Sequence, residues 1–323
     1  MTRALGVMFR CVYPPESLIP FAKQAEILGF DELWIVEDCF WAGGLTSTTL
    51  ALASTRDIPV GLGIMPAVVR NPAITAMEIS ALGRFFPGRF HAGIGHGVAD
   101  WMRRIGAFPP SQLAALEETI TSVRALMAGE RLNTQGKHVA LEDVKLVFPP
   151  HQVPPVSAGV RGDKSLRLAG RSADGTILAE IVAPAYVRHA RAQIAVGQAE
   201  AGRTEHHRLT VYTFCSVGDD LERAVDRLRP IVGEYIASGA VDAQLAPTGL
   251  LEPVKALLAE VGPAAFPNAM PVEWFQQTCI VGTAEACHAA LDALYEAGAD
   301  SVVLVPPPDA TPEDLGELTP VIR

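Results

Sequence analysis

Short apolar runs alternate with amphipathic stretches along nearly the whole chain. The runs lie at residues 5–9, 33–36, 59–65, 89–95, 153–160, 176–178, 209–217 and 301–305. An uninterrupted apolar run suits a strand covered on both faces, which is the condition of a parallel sheet. Helical spacing of apolar positions fills the intervals at 16–28, 45–54, 73–85, 111–127, 164–168, 184–201 and 221–237. Eight alternating units predict an α/β fold, a closed (β/α)8 TIM barrel in preference to an open doubly wound sheet. A last helix is specified by Thr311 as N-cap, Pro312 in its first position, and Glu313 and Asp314 in its first turn.

One joint recurs: a helix end, a small-residue turn with Gly, an Asp, then an aliphatic run. It reads Leu28-Gly29-Phe30-Asp31-Glu32-Leu33-Trp34 and returns as Ala297-Gly298-Ala299-Asp300-Ser301-Val302. A looser copy is Leu168-Ala169-Gly170-Arg171-Ser172-Ala173-Asp174-Gly175-Thr176-Ile177. Glycine suits the left-handed position just past a helix, so each copy marks a helix-to-strand junction. Two segments interrupt the rhythm. Residues 130–147, with Gln135-Gly136 at a turn, predict a small hairpin inserted before the fifth strand. Residues 246–278, rich in Pro and Gly, predict an excursion with one short amphipathic helix before the eighth. Neither is long enough for a separate unit, so 1–323 is expected to be a single domain.

Charge and cysteines restrict the class of protein. A net charge of −10 over 323 residues disfavours nucleic acid, which needs a basic face. It also means that an anionic ligand must be met by locally gathered cations or backbone N–H groups. Five cysteines without a C-x-x-C pair fit a reducing cytoplasm and no structural metal. No apolar stretch is long enough to span a membrane.

The candidate chemistry sits at strand ends. Gly93-Ile94-Gly95-His96-Gly97 closes the fourth run. A dinucleotide fingerprint would need a third Gly at Val98 and a helix opening there, whereas the next helix is expected only near Ser111. The stretch therefore predicts a ligand-facing strand end. Gly61 and Gly63 interrupt the third run, followed by Ile64 and Met65, as a bulge against a flat ligand or a barrel corner would. The second run ends in Glu37-Asp38-Cys39-Phe40-Trp41, where burial would raise a carboxyl pKa and suit acid–base work. Gly159-Val160-Arg161-Gly162-Asp163-Lys164-Ser165 is a glycine-rich turn entering a helix and fits an anion cradle. It is not a Walker loop, because Asp163 stands where that pattern needs Gly. His206-His207 is expected in a surface turn.

In this order and spacing, Gly29-Phe30-Asp31, Glu37-Asp38, Arg70-Asn71-Pro72-Ala73, Gly88-Arg89-Phe90, Gly93-Ile94-Gly95, Ala173-Asp174-Gly175 and Val281-Gly282-Thr283 resemble the bacterial luciferase-like superfamily. These are flavin- and deazaflavin-dependent oxidoreductases. The chain looks most like the branch of methylenetetrahydromethanopterin reductase-like enzymes that use coenzyme F420. The resemblance implies a barrel with the cofactor ring at the C-terminal strand ends and a cis peptide at Gly63–Ile64. It implies cofactor contacts from Gly63, Ile64, Met65, Gly95, His96 and Gly97, and a phosphate site over Gly159, Val160, Arg161 and Gly162. Cys39, Trp41 and Trp101 are expected to line the substrate pocket.

Two positions depart from the family pattern. Many deazaflavin members carry Asp-His where this chain has Asp38-Cys39. The sugar-phosphate dehydrogenases carry a catalytic Glu where it has Val98. The proton donor is therefore open among His96, Asp38 and Glu37. The implied activity is hydride transfer between F420 and an unsaturated or carbonyl small molecule. The alternatives are an FMN-dependent monooxygenase and a non-catalytic flavin-binding barrel. A homodimer is expected from the resemblance alone.

Overall fold

The structure is a computed structural model that describes residues 3–322. The eight apolar runs become strands: β1 (Ala4–Phe9), β2 (Glu32–Ile35), β3 (Val60–Pro66), β4 (Phe90–Gly95), β5 (Val156–Gly159), β6 (Gly175–Leu178), β7 (Arg208–Val217) and β8 (Ser301–Val305). Each pairs in parallel with its successor, and β8 pairs with β1 to close the ring. The chain is thus a (β/α)8 barrel. A short strand, Ile280–Gly282, adds in parallel outside β7 against Cys215–Val217.

The repeated joint has a physical purpose. Asp31 accepts the Leu5 N–H at 2.7 Å and donates its own N–H to the Leu5 carbonyl at 2.9 Å. Asp174 does the same to Val156, at 3.0 and 2.8 Å, and Asp300 to Leu209, at 2.8 and 2.9 Å. Each Asp stands just before its own strand and clasps the first or second residue of the preceding one. The clasp satisfies a backbone donor at the N-terminal rim that the sheet would leave open. Asp300, nearly buried, also takes Arg191 and His206. Asp300→Ala is expected to destabilise the fold by about 1.5–3 kcal/mol, the worth of hydrogen bonds to a charged acceptor. Chemical denaturation would measure it.

Other motif residues serve the frame too. The Arg89 guanidinium donates to the carbonyls of Leu52, Thr55 and Ile58, tying the end of helix Gly44–Ser54 to the start of β4. Asn71 caps helix Pro72–Phe85 by accepting the Ala73 N–H at 2.9 Å, and Pro72 takes the first helical position.

Three expectations need correction. A helix, Ala99–Arg104, does follow Gly97 directly, with Val98 at its N-cap. The dinucleotide reading fails because the sheet is closed, and not for want of that helix. Residues 246–278 are mostly helical, with Leu251–Ala269 kinked at Gly262 (φ 75°) and Val272–Thr278 behind it. His207 is buried, with Nε2 2.8 Å from Thr176 Oγ1, and only His206 reaches the surface. The expected hairpin is present as Leu132–Gln135 and Ala140–Val144. Glu118 pins its turn by accepting the N–H groups of Lys137, His138 and Val139.

The helices between β7 and β8 cover the barrel mouth. Val232 and Ile236 of helix Arg229–Ala237, Leu245 of Asp242–Leu245, and Phe266 and Phe275 beyond them share a core with the barrel-lining Met8, Trp34, Ile177, Tyr212 and Phe214. This cap supplies side chains to the site below it.

Candidate active site

The loops leaving the C-terminal ends of the strands converge on one cluster. Asp38, three residues past β2, meets Cys11, two residues past β1. Burial, together with the Asp38 charge and hydrogen bond, pushes the Cys11 thiol up to about 12, so it stays protonated and donates to the carboxylate. Burial also raises the Asp38 pKa, against the effect of that hydrogen bond. Cys39 is likewise pushed up by burial and by the charges of Glu37 and Asp38. A thiol held protonated is a poor nucleophile, so neither cysteine is suited to covalent chemistry.

Glu37 is engaged elsewhere. Its carboxylate forms a two-pronged pair with Arg70, at 2.6 and 2.7 Å, and accepts the Gly44 N–H at 3.2 Å. It joins the loop after β2 to the loop after β3 and to the start of helix Gly44–Ser54.

The glycines of β3 to β5 make room for neighbouring protein groups. A Cβ at Gly61 would lie 2.4 Å from the Trp34 ring, and one at Gly63 would lie 2.0 Å from the Tyr212 hydroxyl. That hydroxyl is buried without a hydrogen-bond partner among the described residues. The Gly63–Ile64 peptide is cis, as is Cys39–Phe40. Ile64 turns its side chain over Gly95 and Gly159, where a Cβ would come within 2.9 and 2.4 Å of it. Met65, next in the strand, is buried. Gly97, at φ 72°, turns the chain away behind β4.

A second feature lies beside this bulge. Val160, Arg161 and Gly162 lead from β5 into helix Asp163–Ser172, whose first turn offers free N–H groups, and a Cβ at Gly162 would point into open space. His96 reaches this helix, with Nε2 3.2 Å from Ser165 Oγ. Burial lowers the His96 pKa, opposed by the Gln112 backbone. Arg161 is anchored to the cap through the Ala240 carbonyl at 3.3 Å.

Aromatic side chains form the rim. Trp41 and Trp101 pack edge to face at 6.0 Å, and Phe40 lies under the Arg104 guanidinium at 5.0 Å. Both Trp41 and Phe40 are at least half exposed. The structure thus brings Trp41, from the loop after β2, against Trp101, from the helix after β4, with Asp38 and Cys39 just before Trp41 in the first of these loops. A separate groove of about 350 Å³ lies outside the barrel between helices Pro184–Glu200 and Ala284–Glu296, lined by Arg188, Gln276 and Cys279. None of the strand-end cluster borders it.

The sequence reading missed Arg10, Cys11, Glu180, Tyr212, Tyr235 and Gln244. Glu180 was within reach, because it stands two residues beyond the sixth apolar run, at the end of a barrel strand where chemistry gathers. Tyr235 and Gln244 carry no local signal, since the cap brings them in from far along the chain.

Comparison with known proteins agrees with this architecture. Residues 10–301 match the model of the luciferase-like monooxygenase family. The 5,10-methylenetetrahydromethanopterin reductase of Methanolobus tindarius is 28% identical over 304 residues, covering 92% of each chain. The F420-dependent glucose-6-phosphate dehydrogenase of Microbacterium testaceum is 30% identical over 205 residues, covering 59% of this chain and 61% of its own. Among solved structures, an F420-dependent secondary alcohol dehydrogenase bound to an F420–acetone adduct superposes with a TM-score of 0.82 at 21% identity, covering 100% of this chain and 98% of its own. The coenzyme F420-dependent tetrahydromethanopterin reductase of Methanopyrus kandleri superposes with a TM-score of 0.81 at 21% identity, covering 99% and 98%. With the closed barrel, the bulge at Ile64 and a family match spanning nearly the whole chain, this protein belongs to the luciferase-like monooxygenase family.

Proposed function

We propose that this protein is a coenzyme F420-dependent oxidoreductase that moves a hydride between the deazaflavin and a small carbonyl or unsaturated substrate. The observation that carries this reading is Asp38: a half-buried carboxyl of raised pKa, in the loop after β2, the strand paired with the bulged β3, and three residues before the rim residue Trp41. The full-length similarity to a methylenetetrahydromethanopterin reductase supports the deazaflavin over FMN.

The residues fit such a group. Gly63, Ile64 and Met65 would carry the flat ring at the end of β3. The turn through Gly159, Val160, Arg161 and Gly162, with the free N–H groups behind it, would hold an anionic side chain, with Gly95, His96 and Gly97 alongside. When bound, the cofactor supplies or takes the hydride. The chain does the rest. Asp38 holds the accompanying proton and Cys11 orients it through the thiol hydrogen bond. Trp41 and Trp101 cover the opening and keep water from it. Glu37 keeps the loop after β2 in place through Arg70.

His96 is assigned here to the cofactor's anionic side chain and not to proton transfer, because its ring nitrogen bonds Ser165 at the helix start. His96→Ala is expected to weaken cofactor affinity about tenfold or more, the loss of one hydrogen bond near a charged group, with kcat little changed. A lowered kcat at unchanged affinity would return His96 to the chemistry. The deciding experiment is a titration of the protein with each cofactor, followed by ring fluorescence. Micromolar binding of F420 and none of FMN is expected. The opposite preference would make it a flavin monooxygenase, and binding of neither a non-catalytic barrel.

A homodimer belongs to the same proposal. Ile74, Met77 and Phe85 line one face of helix Pro72–Phe85 and are about half exposed or more. An apolar stripe of that kind fits a second copy. Light scattering would give the mass in solution.

A further inference from the structure

The loop after β2 and the helix after β4 meet although β3 stands between their strands. Trp41 comes from the first and Trp101 from the second, edge to face with ring centroids 6.0 Å apart. The contact therefore crosses the C-terminal end of β3, where the strand bulges at Ile64. Both sides of this bridge are tied down. The Trp41 N–H donates to the Asp38 carbonyl at 3.0 Å, closing a turn that holds Trp41 next to Asp38. Helix Ala99–Arg104 is anchored by the fully buried Met102, whose sulfur lies 3.1 Å from where a Gly97 Cβ would stand. Pro66, the last residue of β3, lies 3.0 Å from the same point. With Met102 turned inward, Trp101 and Arg104, three residues apart, share the face that meets the loop after β2.

The bridge stays open to solvent. Trp41 is 50% and Phe40 57% exposed, and Val98, Ile105 and Phe108 around the helix are exposed too. Two cations complete it. Arg104 lies over the Phe40 ring at 5.0 Å, and Arg103 over the Phe108 ring at 4.5 Å. Neither guanidinium has an ion pair among the described residues, in a chain of net charge −10. A guanidinium stacked on a ring keeps its in-plane N–H groups free for an anion. The dipole of the helix end would account for two basic residues there. It does not account for a run of apolar side chains left in water beside them, which marks a binding surface.

We infer that the substrate is a flat conjugated molecule with an acidic group, lying across the end of β3 against Trp41 and Trp101 with its anion on Arg103 and Arg104. This deepens the hydride-transfer reading above and rests on it. A planar acceptor suits the place for two reasons. Its C=O or C=C bond can lie parallel to the flat cofactor ring proposed for the Ile64 bulge, which brings donor and acceptor carbons together. Its outer face is then covered by indole, and aromatic rings recognise one another by stacking or by edge-to-face contact. A sugar phosphate or a short alcohol offers no flat apolar face and would leave both indoles wet.

The test is calorimetric titration of the full chain with 2-naphthoate, before and after saturation with F420. Binding about tenfold tighter than that of glucose 6-phosphate, or more, is expected in both states. Trp41→Leu is expected to weaken naphthoate about tenfold, the loss of one aromatic contact and its buried area. Its melting temperature should not change, because Trp41 is half exposed. Arg103→Gln combined with Arg104→Gln should cost naphthoate about fivefold, the scale of an exposed charge pair, and leave the uncharged 2-naphthalenemethanol unaffected. Equal binding of naphthoate and glucose 6-phosphate, or a naphthoate affinity untouched by Trp41→Leu, overturns the assignment. So does loss of naphthoate binding on adding F420, which would put naphthoate in the cofactor's own site. A dimer in light scattering that Trp41→Lys splits into monomers makes the rim a contact between copies and overturns it as well. The two readings fail separately. F420 binding without naphthoate binding removes this substrate class alone, whereas naphthoate binding without F420 binding removes hydride transfer and leaves a site for a planar anion.

Discussion

Asp38→Asn is expected to lower kcat by about 10²–10⁴-fold, the usual contribution of a placed acid or base, while cofactor affinity changes little. The substitution keeps the shape of the side chain and removes only its proton. Cys11 loses a charged acceptor and the loop after β2 stays anchored, because Glu37 and Arg70 fix it independently. The pH dependence gives a second check. Burial raises the Asp38 pKa, so the protonated acid persists above the ordinary carboxylate range. In the reducing direction, the rate holds below that raised value and falls tenfold per pH unit above it. In the oxidising direction the limb is reversed, because the reaction needs the carboxylate. The Asn variant should show neither limb. Steady-state kinetics in both directions would read these outcomes, and an Asn variant with wild-type kcat would remove Asp38 from the mechanism.

The largest effect on stability is expected from Glu32→Ala, a loss of about 3–5 kcal/mol, typical of breaking one side of a buried ion pair. Glu32 lies inside the barrel and is 4% exposed. Its carboxylate takes the Arg208 guanidinium of β7, the Trp34 indole N–H at 3.0 Å and the Ser301 hydroxyl of β8 at 2.8 Å. The alanine would strand all three donors, with Arg208 partly relieved by water at the rim. Trp34 stacks on His91 and meets the Tyr212 ring at 5.5 Å. Because Tyr212 lies against the Gly63 backbone, a loosened Trp34 should also disturb the bulge proposed to carry the cofactor. Denaturant unfolding measures the first effect and cofactor titration the second. A loss below about 1 kcal/mol, the level of a surface pair, would show that the network adds little.

The residues that carry the family resemblance are mostly joints of the frame. Asp31, Asp174 and Asp300 clasp neighbouring strands, Arg89 ties a helix end to a strand, and Asn71 and Pro72 start a helix. Such patterns are legible because each is local or nearly so: a turn needs its glycine, a first helical turn its cap, and a two-sided strand its apolar run. The short helix Ala99–Arg104 escaped because six residues show too little periodicity to register. The cap escaped for a different reason. Pro263 and Pro267 read as breakers, yet Gly262 at φ 75° kinks the chain so that Pro263 falls in the first turn of a new helical segment, where its missing N–H costs nothing.

Along the chain, then, the order of strands and helices, the closed barrel and the identity of the strand-end residues were already written. Which of those residues face one another was not. Asp38 meets Cys11 across two loops, His96 meets Ser165 from another strand, and Gln244 grips the turn at Glu180 from the cap. Glu37 and Asp38 are adjacent in sequence, and folding gives one an arginine and leaves the other half-buried with a raised pKa. Charge coupling and desolvation depend on distance and dielectric in space, and sequence spacing sets neither once the chain closes into a barrel.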